Sequence, residues 1–152
     1  MDFTLTDEQT AFADLARTVL TRGSTPERLA EVDAGGTGVD SALWRELAQA
    51  GVVGVSLPES VGGGGASFVE TCLLLEQVGA TAALVPVWES VVLAALPIAR
   101  FGTAAQQQEL LPGVAAGDTV LTGAFIERRL GRKGTARNLR SMRRILAKMD
   151  EG

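Results

Sequence analysis

Three times in 152 residues the chain sets Ser or Thr three positions ahead of Glu or Gln, directly before an apolar run: Thr6–Gln9, Ser67–Glu70 and Thr103–Gln106. In that arrangement the hydroxyl accepts from the N3 amide while the N3 side chain reaches back to the cap amide, so two free donors of a helix start are satisfied together. Such boxes commit the residues behind them to helix. Thr25-Pro26 adds a fourth start, with proline at a first helical position where its missing N–H costs nothing. Asp40 adds a fifth.

The apolar spacing agrees with these starts. Phe12, Leu15, Val19 and Leu20 fall on one helical face behind Thr6. Leu43, Trp44 and Leu47 follow Asp40, and Gly51 closes that helix. Behind Ser67, the residues Phe68, Val69, Cys72, Leu73, Leu74, Leu75 and Val78 are apolar almost all round, which predicts a central helix ended by Gly79. A fifth apolar segment runs from Pro86 to Phe101, and Pro97 inside it should kink or split the helix. A sixth helix runs from Thr103 to about Gly113. Thr119-Val120-Leu121-Thr122 comes after a Gly-Asp turn and predicts the opening of a strand. The expected fold class is all-α: a bundle of about six helices with a short strand opening and a basic C-terminal tail.

Composition supports that class and removes several kinds of chemistry. Ala, Leu and Val supply the apolar mass while aromatics are only 5%, which favours helices over a β-sandwich. Histidine is absent, so Ser-His and Cys-His catalysis and the commonest metal ligand are excluded. Acidic residues are scattered rather than spaced as ligands, so no metal site is expected. A single cysteine, Cys72, forbids an internal disulfide. It lies on the most apolar helix with no basic neighbour in sequence, which predicts a buried, inert thiol. The start, MDFTLTDEQ, resembles neither a signal nor a transit peptide, and no uninterrupted apolar run is long enough to span a bilayer. A cytoplasmic setting is expected. The run Gly62–Gly65 lacks the Lys-Ser/Thr of a phosphate-cradling loop and reads as a flexible connection.

Charge divides the chain. Residues 1–125 carry 5 basic and 15 acidic side chains, whereas residues 126–152 carry 9 basic and 3 acidic. In the tail, Leu139, Met142, Ile145, Leu146 and Met149 can share one helical face, with Arg140, Arg143, Arg144 and Lys148 on much of the rest. Three readings stay open. The tail is a basic amphipathic helix for anionic membranes or phosphates; it is a solvated or disordered end; or it is unselected sequence. Seven arginines in the last 27 residues against five in the first 125 fit a shifted reading frame after about Glu127. Without aromatics for stacking, the tail is not expected to read nucleic-acid sequence.

Five segments in order carry a family resemblance. They are Leu5-Thr6-Asp7-Glu8-Gln9; Leu57-Pro58-Glu59 with Gly62-Gly63; Phe101-Gly102-Thr103 with Gln106-Gln107 and Leu111-Pro112; Ala116-Gly117-Asp118; and Ala124-Phe125-Ile126-Glu127. Together they resemble the N-terminal helical domain of the acyl-CoA dehydrogenases. The resemblance implies FAD-dependent α,β-dehydrogenation of acyl-CoA thioesters. It implies a helical domain over 1–118, the start of a middle β-domain over 119–127, and an unrelated basic tail over 128–152. It assigns Trp88, Val91, Val92 and Ala95 to a wall of the acyl pocket, although a buried helix would carry the same residues as ordinary core. It assigns Phe125, Ile126 and Glu127 to flavin contact, with Ile126 standing where the family commonly has threonine. The family's glutamate base belongs to a C-terminal domain with no counterpart here, so no catalytic residue is expected. The chain is thus read as a fragment inactive alone, or as a non-catalytic module that self-associates, pairs with full-length relatives or binds acidic surfaces through its tail.

Overall fold

A computed structural model describes residues 4–123 of the chain. Helix α1 is Asp7–Gly23, α2 is Pro26–Ala34 and α3 is Ser41–Gln49. A 3₁₀ turn, Glu59–Val61, leads to α4, Phe68–Thr81. A π-helical segment, Val87–Ala95, continues directly into α5, Leu96–Phe101, and α6 is Ala104–Ala115. The bundle expected from the capping signals is therefore present, with no strand among the described residues. The tail and Phe125–Glu127 lie outside those residues.

The caps act as their chemistry requires. Thr6 and Thr103 form full capping boxes with Gln9 and Gln106. Thr25 accepts from Arg28 N–H ahead of Pro26. Asp40 accepts from both Ala42 and Leu43 N–H. Ser67 caps through Val69 N–H rather than the N3 amide, because its hydroxyl donates to Glu70 Oε2 at 2.6 Å.

Helix α1 packs against α4 and α3, while α6 packs against the 3₁₀ turn, the π segment and α5. Between them lies one core of Leu20, Trp44, Leu47, Leu57, Leu74, Val91, Leu111 and Val114, all nearly or fully excluded from solvent. Each such aliphatic side chain stabilises the fold by about 1.5–3 kcal/mol relative to exposure.

Four expectations need correction. Helix α4 is not central: Phe68, Val69 and Cys72 are exposed, and Cys72 is not a buried thiol. The polar Thr71 and Gln77 are buried in their place, because each finds a partner. Thr71 Oγ1 donates to Ser56 Oγ at 2.7 Å, and Arg17 Nε donates to Gln77 Oε1 at 3.1 Å. A satisfied hydroxyl or amide is cheap to bury, so apolar count alone misjudges the inward face. Gly79 does not end α4; the helix runs to Thr81 and stops at Ala82, which adopts the left-handed φ of 51°. Pro97 does divide the apolar segment, as expected: the π-helical part ends at Ala95 and α5 begins at Leu96, while the backbone stays right-handed helical through both residues. The π pattern bonds Leu96 N–H to Val91 five residues back, so the proline falls at the start of α5.

The Gly62–Gly65 run is not a loose connection. Amides 62 through 66 donate in turn to the carbonyls of Glu59, Pro58, Gly54, Leu57 and Val55. Glycine is required by this close backbone approach: a Cβ on Gly63 would lie 2.2 Å from Leu57 O. Finally, Thr119–Gly123 has no regular structure. A strand needs a neighbour for its ladder bonds, and the described residues supply only a side-chain oxygen, Ser90 Oγ, to Leu121 N–H.

Candidate functional site

The π segment is strongly apolar, and its residues sort at a spacing of about four. Val87, Ser90, Val91, Ala94 and Ala95 face inward and are buried. Trp88 is 52% exposed, Val92 is half-buried, and Leu96 is half-buried with part of its surface packed on the core. A π pattern has more residues per turn than the 3.6 of an α-helix, so it holds a four-residue repeat on one face over this length.

The four wall residues named from the sequence are therefore divided. Val91 and Ala95 belong to the core, whereas Trp88 and Val92 lie on the open side. Val92 also lines a groove of about 490 Å³ with Pro58, Phe68, Leu96, Arg100 and Phe101. That volume suits a small-molecule chain, and the lining is largely apolar. Phe68 and Phe101 flank it and are 52% and 80% exposed. Arg100 stands at its edge, 5.6 Å from the Phe101 ring centroid, and has no ion-pair partner among the described residues. In the sequence, Phe68 and Phe101 read only as helix and motif residues, and Leu96 and Arg100 do not stand out at all; none of the four is named there as a site residue.

The carboxylates offer little to acid–base chemistry. Bidentate hydrogen bonds from Arg28 (2.7 and 2.9 Å) hold Asp40 below the usual carboxylate range against its burial, and the amides of Leu43 and Ala42 add to the effect. The Ser67 hydroxyl bond holds Glu70 down in the same way, with Gln9 Nε2 contributing at 3.1 Å. A carboxylate stabilised in its ionised form is a weaker base. Both groups are structural: Asp40 joins α2 to α3, and Glu70 joins α4 to α1. Arg22 and Glu46 pair across α1 and α3. No group of metal-ligating residues occurs among the described residues. None of their helices is long and apolar enough to cross a membrane.

The described residues form an apolar groove and offer no cradle for a flavin's pyrophosphate. A pyrophosphate needs free N–H donors or a cluster of cations, but the amides of the glycine run are spent on carbonyls, and Arg100 is a single charge. Phe125, Ile126 and Glu127 lie outside the described residues.

Comparison with known proteins places the helical body in a family. The family model "Acyl-CoA dehydrogenase, N-terminal domain" matches residues 6–118. Acyl-CoA dehydrogenase FadE27 of Mycobacterium tuberculosis (strain ATCC 25618 / H37Rv) is 40% identical over 125 residues, which is 82% of this chain and 34% of FadE27. Among solved structures, the Tcur3481-Tcur3483 steroid ACAD G363A variant is similar at a TM-score of 0.77 and 46% identity, over 84% of this chain and 35% of that one. The ChsE4-ChsE5 complex from Mycobacterium tuberculosis is similar at 0.76 and 38%, over 84% of this chain and 36% of that one. The chain spans about a third of the length of these proteins.

Proposed function

The chain belongs to the acyl-CoA dehydrogenase family as its N-terminal helical domain, and from that premise we propose that it supplies one wall of an acyl-binding pocket and no catalytic group. The observation that carries this reading is the open, largely apolar groove lined by Val92, Leu96, Phe68 and Phe101, with the exposed Trp88 one turn before Val92. Such a surface can orient an acyl chain, and orientation is a contribution of its own to catalysis. Dehydrogenation also needs a base for the α-proton and an acceptor for the β-hydride. Asp40 and Glu70 are both biased against the first role. Residues 1–118 form the domain in this reading, residues 119–127 begin the next one, and Phe125–Glu127 reach the flavin only when the remainder of the site is supplied. The family reaction, its FAD and its acyl-CoA substrate then belong to an assembly rather than to this chain. A cytoplasmic location is part of the same proposal.

The test is the purified chain itself. It is expected to carry no stoichiometric flavin and to reduce no dye with a panel of acyl-CoAs. Bound FAD with turnover would overturn the reading. A second reading, pairing with another acyl-CoA dehydrogenase-type chain, draws support from the Tcur3481-Tcur3483 and ChsE4-ChsE5 structures, each named for two chains. It predicts co-elution with such a chain during size exclusion, and a monomer under those conditions would count against it.

A further inference from the structure

Ser90 is the one hydroxyl inside the π segment, and it is fully buried. Its neighbours on the inward face are Val87, Val91, Ala94 and Ala95. A hydroxyl in such company is costly unless it is bonded. The bond it makes is long-range in sequence: Leu121 N–H donates to Ser90 Oγ at 3.1 Å, across 31 residues. Leu121 itself packs on the core.

The rest of the segment leaving α6 is held locally. Gly117 N–H donates to Val114 O, and the amides of Asp118 and Thr119 both donate to Gly113 O. No bond from the amides of Val120 or Thr122 occurs among the described residues. Among the described residues, Ser90 is thus the one polar anchor for the amides of residues 120–122. That anchor sits in the same π segment as Trp88 and Val92, two residues from each.

We infer that Ser90 is a positioning residue, which fixes the register at which the chain leaves the helical body and ties that exit to the outward wall of the π segment. The tether follows from the geometry alone. Its value for catalysis rests on the proposed reading of Trp88 and Val92 as acyl wall.

Residue-resolved hydrogen exchange on the whole chain tests the tether. In the unsubstituted chain the Leu121 amide should exchange at least tenfold more slowly than those of Val120 and Thr122. In Ser90→Ala its exchange should rise at least tenfold while the Leu96 amide, bonded to Val91, keeps its protection. Ser90→Thr retains the acceptor and should restore Leu121. A merely stabilising role would instead raise exchange at Leu96 and Leu121 together, and that result would overturn the inference. So would a Leu121 amide as fast as its neighbours in the unsubstituted chain, a measurement that stands even if Ser90→Ala fails to fold. Failure of the proposed function shows separately: the purified chain would carry FAD and turn over acyl-CoA while the Leu121 exchange pattern stays as stated.

Discussion

Gly79 and Ala82 stand three residues apart with their conformations exchanged relative to their chemistry. Gly79 is helical, and a Cβ there would meet nothing within 4 Å. Gly79→Ala should therefore raise stability by about 0.5–1 kcal/mol, since glycine in a helix wastes conformational freedom. Ala82 holds a left-handed φ of 51°, which costs an L-residue roughly 1–2 kcal/mol. Ala82→Gly relieves that strain but loosens the unfolded chain by about 0.4–1 kcal/mol, so its net gain should be smaller. Urea unfolding, read as a midpoint shift at constant slope, checks both. Gly63→Ala has the opposite sign: the 2.2 Å approach to Leu57 O forces the backbone apart, and a loss of about 1–3 kcal/mol is expected. Asp40, together with Glu70, contributes to the acid limit. Its carboxyl is held down in the folded state, so its contribution is complete above the unfolded value and is lost as pH falls through the folded one. Stability should decline below about pH 5, and Asp40→Asn, which keeps a capping oxygen, should flatten that decline in a series of unfolding curves.

The helices were legible in the chain because their starts are written locally. Thr6, Thr25, Asp40, Ser67 and Thr103 each cap the helix expected of them. Facing was less legible. Thr71 and Gln77 turn inward because Ser56 and Arg17, 15 and 60 residues away in sequence, offer them partners. No window along α4 contains that information. The wall was legible only in part for a related reason: an α-helical period groups Trp88 with Val91, Val92 and Ala95, whereas the π pattern separates them. The difference can be measured. Val91 is 1% exposed, so Val91→Lys should bury an unpaired charge and cost on the order of 4 kcal/mol or more. Val92→Lys, one residue on, should leave the fold intact and reduce self-association through the groove. Circular dichroism with sedimentation velocity distinguishes the two outcomes. A folded Val91→Lys would mean that the inward face is wrongly placed.

The described body and the basic tail obey different rules of composition. The first 125 residues carry a net charge of −10 and the last 27 a net charge of +6. The family match stops short of that tail. A body selected within the family should continue into more of the family's sequence, since the wall it presents is useful only opposite the remainder of a pocket. Arginine is also the residue expected when a GC-rich message is read out of register, and seven of the chain's arginines lie in the last 27 residues. The neighbouring DNA should therefore contain, in one of the two other frames downstream of codon 127, a glycine-rich stretch first and a glutamate-bearing helical domain later. Sequencing the locus and translating all three frames checks this without any protein. If neither frame continues the family, the tail is a selected basic segment. Its contribution would then be electrostatic, and the whole chain should bind vesicles containing anionic lipid at low ionic strength and release them as salt shortens the screening length.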